Sequence, residues 1–367
     1  MYVVAVQLRD FRTYARAEAR IGEGLTIVHG ANGAGKSNLL EALYFGCTGH
    51  SQRTRSERDL VRFGAQATRV VVSLREQGRS HELAVGFQPG EAKHMTVDGA
   101  PVQRLTDVQQ RPLVSVFSPD RLELVKGPPG LRRAHLDQLV AALWPARART
   151  RRDYGRALAQ RNALIAGIRA GRASPATLPS WNAELARYAI ALREDRAELT
   201  GLLAGPFSER AAQLGLNGEC ALEYKPRSKA TSAEELVQEL QERMPRDLQR
   251  GFCTHGPHRD ELAFVRDGRD LRAFGSQGEQ RLALLALLLA ERAVLAAERD
   301  RMPLMLFDDV MSELDSTRRE LLASELTGGG QSLIATTDLA HVPGAGGASV
   351  TRLRVAGGAI MQEALAA

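Results

Sequence analysis

The chain has 367 residues, 44% hydrophobic and 25% charged, with a formal net charge of +6 at pH 7. That length exceeds what one core usually supports, so two domains or lobes are expected in an ordinary soluble protein. The longest uncharged apolar run, 282–290, is too short to span a bilayer, and Arg9 and Asp10 interrupt any signal-peptide core; a cytoplasmic chain with no membrane partner is the expectation.

In chain order, Val3 to Leu8 alternates weakly and reads as a strand, and LTIVH, Leu25 to His29, reads as a second one that breaks at Gly30. A helix pattern begins near Lys36. Residues 68–75 and 81–87 read as an antiparallel pair, VDGAPV (97–102) carries an Asp-Gly turn signal, and PLVSVFSPD (112–120) reads as a buried strand. From about 131 the texture becomes helical: Leu136, Leu139, Val140 and Leu143 recur at helical spacing, and Leu185, Leu192 and Leu199 recur every seven residues. With AGRASPATLP (170–179) as its tip, 131–215 reads as a helical hairpin whose longest helix runs from Pro179 to Leu203, roughly 35–40 Å. Strand signals return at CALEYKP and at ELAFVRDGRDLRAF (261–274). A long helix follows Gly278, and then come the buried strands PLMLFDDV and QSLIATTD.

Two motifs carry chemistry. GANGAGKS, Gly30 to Ser37, fits the phosphate-binding loop pattern between a strand and a helix. Its glycines let backbone N–H groups turn toward phosphate oxygens, so the nucleotide site is expected over Gly30, Ala31, Asn32, Gly33, Ala34, Gly35, Lys36, Ser37 and Asn38, with the helix N-terminus adding its dipole. Lys36 would reach the β/γ-phosphates of ATP and Ser37 would ligate Mg²⁺. The second motif is LMLFDDV, a buried strand with two aspartates at its C-terminal end, the end that faces the ligand crevice in a parallel sheet. Asp308 is expected to hold Mg²⁺ through water. Asp309, with Lys36, is the expected catalytic pair, the aspartate orienting or deprotonating the attacking water.

GSQGEQR (275–281) opens the long apolar helix. Ser276 and Glu279 stand at capping-box spacing, which leaves Gly275 and Gly278 unexplained. Segment 131–172 holds ten arginines against Asp137 and Asp153, a formal +8, while the whole chain has five lysines. Such a stripe suits a phosphate backbone, or else is a solvated helix face. Cys47, Cys220 and Cys253 form no CxxC pair, and His255 and His258 lack companion ligands, so neither a disulfide framework nor a metal site is indicated.

The order of P-loop, long insertion, S-x-G-E-Q helix start, DD strand and SELD loop resembles the ABC-type ATPase heads of the SMC and Rad50 class. Within it the chain is similar to the RecF family, through LRDFRTY, NGAGKSNLLEALY, SQRTRSERDLV, FSPDRLELVKGPPGLRRAHLD, GPHRDEL, GSQGEQR and LMLFDDVMSELD. The resemblance implies an α/β fold: an ABC-type P-loop ATPase head of two lobes, 1–130 and 250–367, with an inserted, mostly helical arm, 131–249. It implies that Ser276, Gly278 and the N-terminus of their helix, with Glu279 among the nucleotide-site residues, cap the γ-phosphate held on the P-loop of a second molecule, so that ATP drives a homodimer. It also implies binding of duplex DNA near single-stranded gaps, RecR, RecO and recombinase as partners, and work in replication, repair, recombination and the SOS response.

The chain departs from the general signature L-S-G-G-Q/E at Gly275 and Gln277. It has Asp309 where a glutamate is usual, no switch histidine in IATTD, and no glutamine within 115–120. These departures point to a weak ATPase using ATP as a dimerisation switch. The other readings are a transporter nucleotide-binding subunit and a structural SMC-like clamp. Arg12 either approaches the nucleotide or braces its strand. Arg53, Arg55 and Arg58 meet DNA, a partner or solvent. His258 and Arg259 read as packing residues.

Overall fold

The computed structural model describes residues 1–54, 56–108 and 111–363. Arg55 lies outside them. The α/β chain forms two compact units, Met1–Arg121 with Leu295–Ala367, and Leu122–Val294.

In the first unit LTIVH, buried at four of its five positions, occupies the middle of a six-stranded sheet. From one edge the strands are Ala359–Glu363, Thr351–Ala356, Leu25–His29, Ser332–Thr336, Leu304–Asp308 and Val114–Phe117. All neighbours are parallel except the terminal hairpin pair. Burial on both faces explains the unbroken apolar runs of the central strands. Parallel register also carries His29 and Asp308 to the same edge, the one where ligands bind in open α/β sheets.

A second, antiparallel sheet has the order Tyr14–Arg20, Tyr2–Phe11, Thr68–Glu76, Arg79–Phe87, His94–Val97, Ala100–Pro101. The helix Lys36–Thr48 packs against both sheets, which is why it is apolar nearly all round: Leu39, Leu40, Ala42, Leu43, Phe45 and Cys47 are all buried. At Gly46 the helix comes so near the antiparallel sheet that an added Cβ would lie 2.9 Å from Val70 Cγ1. The strand Tyr14–Arg20 was not expected, because the small and charged alternation YARAEAR hides its pattern. The C-terminal hairpin was not expected either.

The second unit holds the helices Pro129–Leu143, Ala148–Arg169 and Leu178–Gln213. Leu185, Leu192 and Leu199 are buried along one seam of the longest of them, as their spacing predicts. That helix runs past the expected Leu203 and through Pro206 to 36 residues, about 54 Å. Proline costs it one hydrogen bond, but Phe207 and Ala211 beyond are fully buried, and that packing carries the helix on. Cys220–Lys225 pairs antiparallel with Glu261–Arg266. This pairing draws 261–266 together with 220–225, so the compact division falls after Arg121 and Val294, whereas the expected head and arm divide at 130 and 249.

The expected strand over 261–274 stops at Arg266. After a turn come the short strand Arg269–Asp270 and a helix, Leu271–Phe274, whose Arg272 N–H is capped by Asp270 at 2.8 Å. Ala233–Glu242, N-capped by Ser232, and Met244–Arg250 are further helices that the sequence reading did not single out. Among the described residues no helix is long and apolar enough to cross a membrane.

Candidate nucleotide site

The P-loop lies wholly in the first unit, between the strand Leu25–His29 and the helix from Lys36. Gly35, the residue before that helix, has φ 116°, and an added Cβ would sit 2.9 Å from Tyr14 Oη; only glycine fits both demands. Tyr14 Oη donates to the Gly35 carbonyl at 2.8 Å and pins the turn from the adjacent sheet. Ala31, Asn32 and Gly33 are exposed at the loop tip, and Ala34 N–H donates to Ala31 O at 3.2 Å.

Lys36 is buried with its ammonium folded onto the loop, donating to Gly30 O at 2.8 Å and Ala31 O at 3.0 Å. Burial lowers its pKa, opposed by the charges of Asp309 and Asp308. Ser37 Oγ donates to Asp308 Oδ1 at 2.8 Å, joining the two motifs across 271 residues of sequence. Burial raises the Asp308 pKa, opposed by the Ser37 hydrogen bond and by Arg53. Asp309 takes the left-handed conformation (φ 52°) just past the strand end, and its Oδ1 is buried with no hydrogen-bond partner among the described residues.

These groups fit a magnesium nucleotide. A hydroxyl and a carboxylate side by side are hard oxygen donors of the kind Mg²⁺ takes. A cation there would offset the desolvation that now disfavours the Asp308 carboxylate, and an unpartnered buried oxygen on Asp309 is the sort of orphan a bound group satisfies.

The rim beside the P-loop was only partly legible. Arg12 (φ 52°) forks onto the fully buried Glu41, Nε to Oε2 at 2.9 Å and Nη2 to Oε1 at 2.8 Å, and donates to Asp59 O at 2.7 Å. It therefore braces the P-loop helix. Arg53 turns in to Asn38 Oδ1 at 3.0 Å and Glu41 Oε2 at 3.3 Å, while Asn38 Nδ2 donates to Thr13 Oγ1 at 3.1 Å. Arg58 is exposed. Glu41, the hub of this rim, escaped the sequence reading; the signal for it was one acid inside NLLEALYFG, flanked by Leu39, Leu40, Ala42 and Leu43, all buried.

Ser276, Gly278 and Glu279 lie in the second unit. The capping box is present: Ser276 N–H donates to Glu279 Oε2 at 2.8 Å and Glu279 N–H to Ser276 Oγ at 3.3 Å. Arg266 Nη1 also holds Glu279, at 2.5 Å, and draws its pKa down. Gln280 Nε2 reaches back to Leu271 O at 2.9 Å and Gly275 O at 3.2 Å, fixing the approach to the helix. Among the described residues, its own helix backbone and chain neighbours aside, nothing crowds Gly278, whose Cβ position has Ser276 Oγ at 4.0 Å as its nearest neighbour. His258 packs within the second unit, its Nδ1 at 2.6 Å from Tyr154 Oη and its Nε2 at 2.9 Å from Cys253 O. Among the described residues no cluster of metal-ligating side chains occurs.

The arginine-rich segment is less of a charged stripe than its composition suggests. Arg161 is fully buried, donating to Asp247 at 2.8 Å and Asn182 at 2.7 Å. Arg132 is buried on Glu261, Arg147 meets Asp195 and Glu198, and Arg151 meets Asp137. Arg149, Arg152, Arg156, Arg169 and Arg172 remain exposed. Composition cannot tell these from the buried ones, because their partners come from distant segments.

The family model described as the RecF/RecN/SMC N terminal domain matches residues 2–349. A DNA replication and repair protein RecF from Anaeromyxobacter sp. (strain Fw109-5) is 36% identical over 370 residues, covering 98% of this chain and 99% of that one. Another from Streptomyces avermitilis is 36% identical over 358 residues, covering 94% and 95%. A solved structure of the recombination mediator protein RecF with ATP, in the RecFOR pathway, superposes with a TM-score of 0.89 at 26% identity, over 99% of this chain and 98% of that one. An Smc head bound to the C-terminal winged-helix domain of ScpA shares the fold, with a TM-score of 0.60 at 17% identity over 100% and 98%. With its P-loop and DD strand assembled on such a head, the chain belongs to the RecF/RecN/SMC N-terminal domain family, and within it to the RecF proteins.

Proposed function

We propose that this chain is an ATP-dependent, DNA-binding recombination mediator that works as an ATP-driven homodimer. The observation that carries the reading is the hydrogen bond from Ser37 to Asp308, which places a hydroxyl and a carboxylate beside the Lys36 ammonium at the sheet edge. Lys36 would leave its loop carbonyls for the β/γ-phosphates, and Ser37 with Asp308 would hold Mg²⁺. When bound, that ion supplies charge neutralisation between the phosphates. Asp309 would orient the attacking water and take its proton at the carboxylate. Its side chain is one methylene shorter than the usual glutamate, in keeping with slow hydrolysis that releases the dimer. Turnover above about 10 s⁻¹, the enzyme median, would count against a switch.

Gly278 supports the dimer. A glycine in a first helical turn, where none of the described residues beyond its own helix turn crowds it, costs helix stability without local return, and close approach by a group from outside gives it a reason. The helix N-terminus and Ser276 would then face the γ-phosphate on the partner molecule. Duplex DNA next to a gap, and the RecO, RecR and recombinase partners, follow from the RecF relatives.

Molar mass in solution tests the reading, measured without nucleotide, with ADP and with ATP–Mg²⁺, for the native chain and Ser276→Arg. Dimerisation by ATP alone, abolished by Ser276→Arg while nucleotide still binds, is expected. A mass that never changes with nucleotide removes the sandwich and leaves GSQGEQR an ordinary helix cap.

A further inference from the structure

Register in the antiparallel sheet of the first unit sets three arginines side by side. Arg9 lies directly opposite Arg16 on one neighbouring strand and Arg69 on the other. All three are exposed, while Leu8 and Val70, next to them in sequence, point into the core. Among the described residues none of the three has an ion pair or a side-chain hydrogen bond. Like charges directly opposite one another destabilise a sheet, so the fold itself gains nothing from this row. The acids nearest in register are Glu18, one row along, and Glu82 beyond it; Asp10 is already held by Arg62 Nε at 2.7 Å.

At strand spacing the row spans roughly 10 Å. One strand of a duplex advances about three phosphates along its axis over that distance, at about 3.4 Å each. Phe63, 99% exposed, lies on the loop joined to the central strand just past Arg9. Its loop is tied there by Arg62 N–H to Asp10 O and Arg12 N–H to Leu60 O, both 2.8 Å. A fully exposed aromatic ring on a loop beyond a row of exposed cations suits stacking on an unpaired base.

We propose that this outer sheet face is a DNA-contact surface, with Arg16, Arg9 and Arg69 on successive backbone phosphates and Phe63 stacking on a base left unpaired at the edge of a gap. The proposal rests on the DNA-binding reading above and locates part of it on the ATPase unit, whereas the sequence directs attention to the arm.

The test uses the full chain with ATP–Mg²⁺ and two labelled probes, a duplex and the same duplex carrying a single-stranded gap, titrated from roughly 50 to 200 mM salt. The R9Q/R16Q/R69Q variant is expected to lower the slope of log K against log salt by about 2 to 3 on both probes, at about 0.9 for each phosphate no longer neutralised. R9K/R16K/R69K is expected to keep the native slope, which a merely structural role would not produce. Phe63→Ala is expected to lose the preference for the gapped probe and to leave duplex binding intact. If the glutamine variant keeps the native slope while the native chain binds DNA, the row serves another polyanion and this inference is overturned, with the DNA-binding reading untouched. If the native chain binds neither probe, both fall. Gapped-probe preference unchanged in Phe63→Ala overturns the stacking.

Discussion

Gly278→Ala separates what the signature helix needs for its own fold from what it needs in order to meet another molecule. Gly278 stands in the first turn of Gln277–Arg299, outside the left-handed region, and beyond its own helix backbone and chain neighbours no heavy atom of the described residues comes nearer its Cβ position than Ser276 Oγ at 4.0 Å. Alanine therefore fits without strain. In a helix interior glycine is about 1 kcal/mol worse than alanine, and in a first turn roughly half of that is expected, so the free chain should gain about 0.5 kcal/mol. In an ATP-closed dimer the same methyl enters a packed face, where overfilling costs about 1–3 kcal/mol. The site occurs twice in a symmetric dimer, so about 2–6 kcal/mol is lost in all, at least a 30-fold rise in the dimer Kd. Urea unfolding without nucleotide and sedimentation equilibrium with ATP–Mg²⁺ read the two effects. A less stable free chain, or a dimer within threefold of native, would refute the reasoning.

Burial holds the Asp308 pKa above the ordinary 3.8, so Mg²⁺-dependent nucleotide affinity should weaken on acidification at a higher pH than a free carboxylate would titrate. By itself this favours the protonated folded state, a contribution present at low pH and lost as pH rises through the raised pKa; fluorescence titrations at several pH values against Asp308→Asn check it, and parallel pH profiles would contradict it. Burial depresses the His258 pKa from 6.5 to about 4, so the folded chain binds fewer protons than the unfolded between those values. Stability from this residue is therefore present above pH 6.5 and lost as pH falls toward 4, at most about 3 kcal/mol. His258→Gln should flatten the urea midpoint against pH over that window. Asp247→Ala should cost about 3–5 kcal/mol in urea unfolding by stranding the fully buried Arg161, and Arg161→Met added to it should recover most of the loss. A cost below about 1 kcal/mol for Asp247→Ala would show that water reaches the pair.

The P-loop, the DD strand and the capping box were legible in the amino-acid sequence because each is decided within a few residues. Gly35 is needed for a backbone angle and a close approach at one point, Leu304 to Phe307 for an unbroken apolar strand, and Ser276 with Glu279 for hydrogen bonds spanning one helical turn. The seven-residue leucine spacing likewise marked a buried seam. Other features were settled by partners far along the chain. Ser37 meets Asp308 only because parallel strands end at one edge, and Glu41 becomes the anchor of Arg12 and Arg53 only when segments before and after its helix fold against it. Arg132 and Arg161 leave the charged surface because Glu261 and Asp247 reach them. Packing of Phe207 and Ala211 carries a helix through Pro206. The row of Arg9, Arg16 and Arg69 depends on register, where a slip of one residue would turn every side chain to the opposite face. Local geometry is written in neighbouring residues; burial, pairing and register arise from contacts that exist only once the chain is folded.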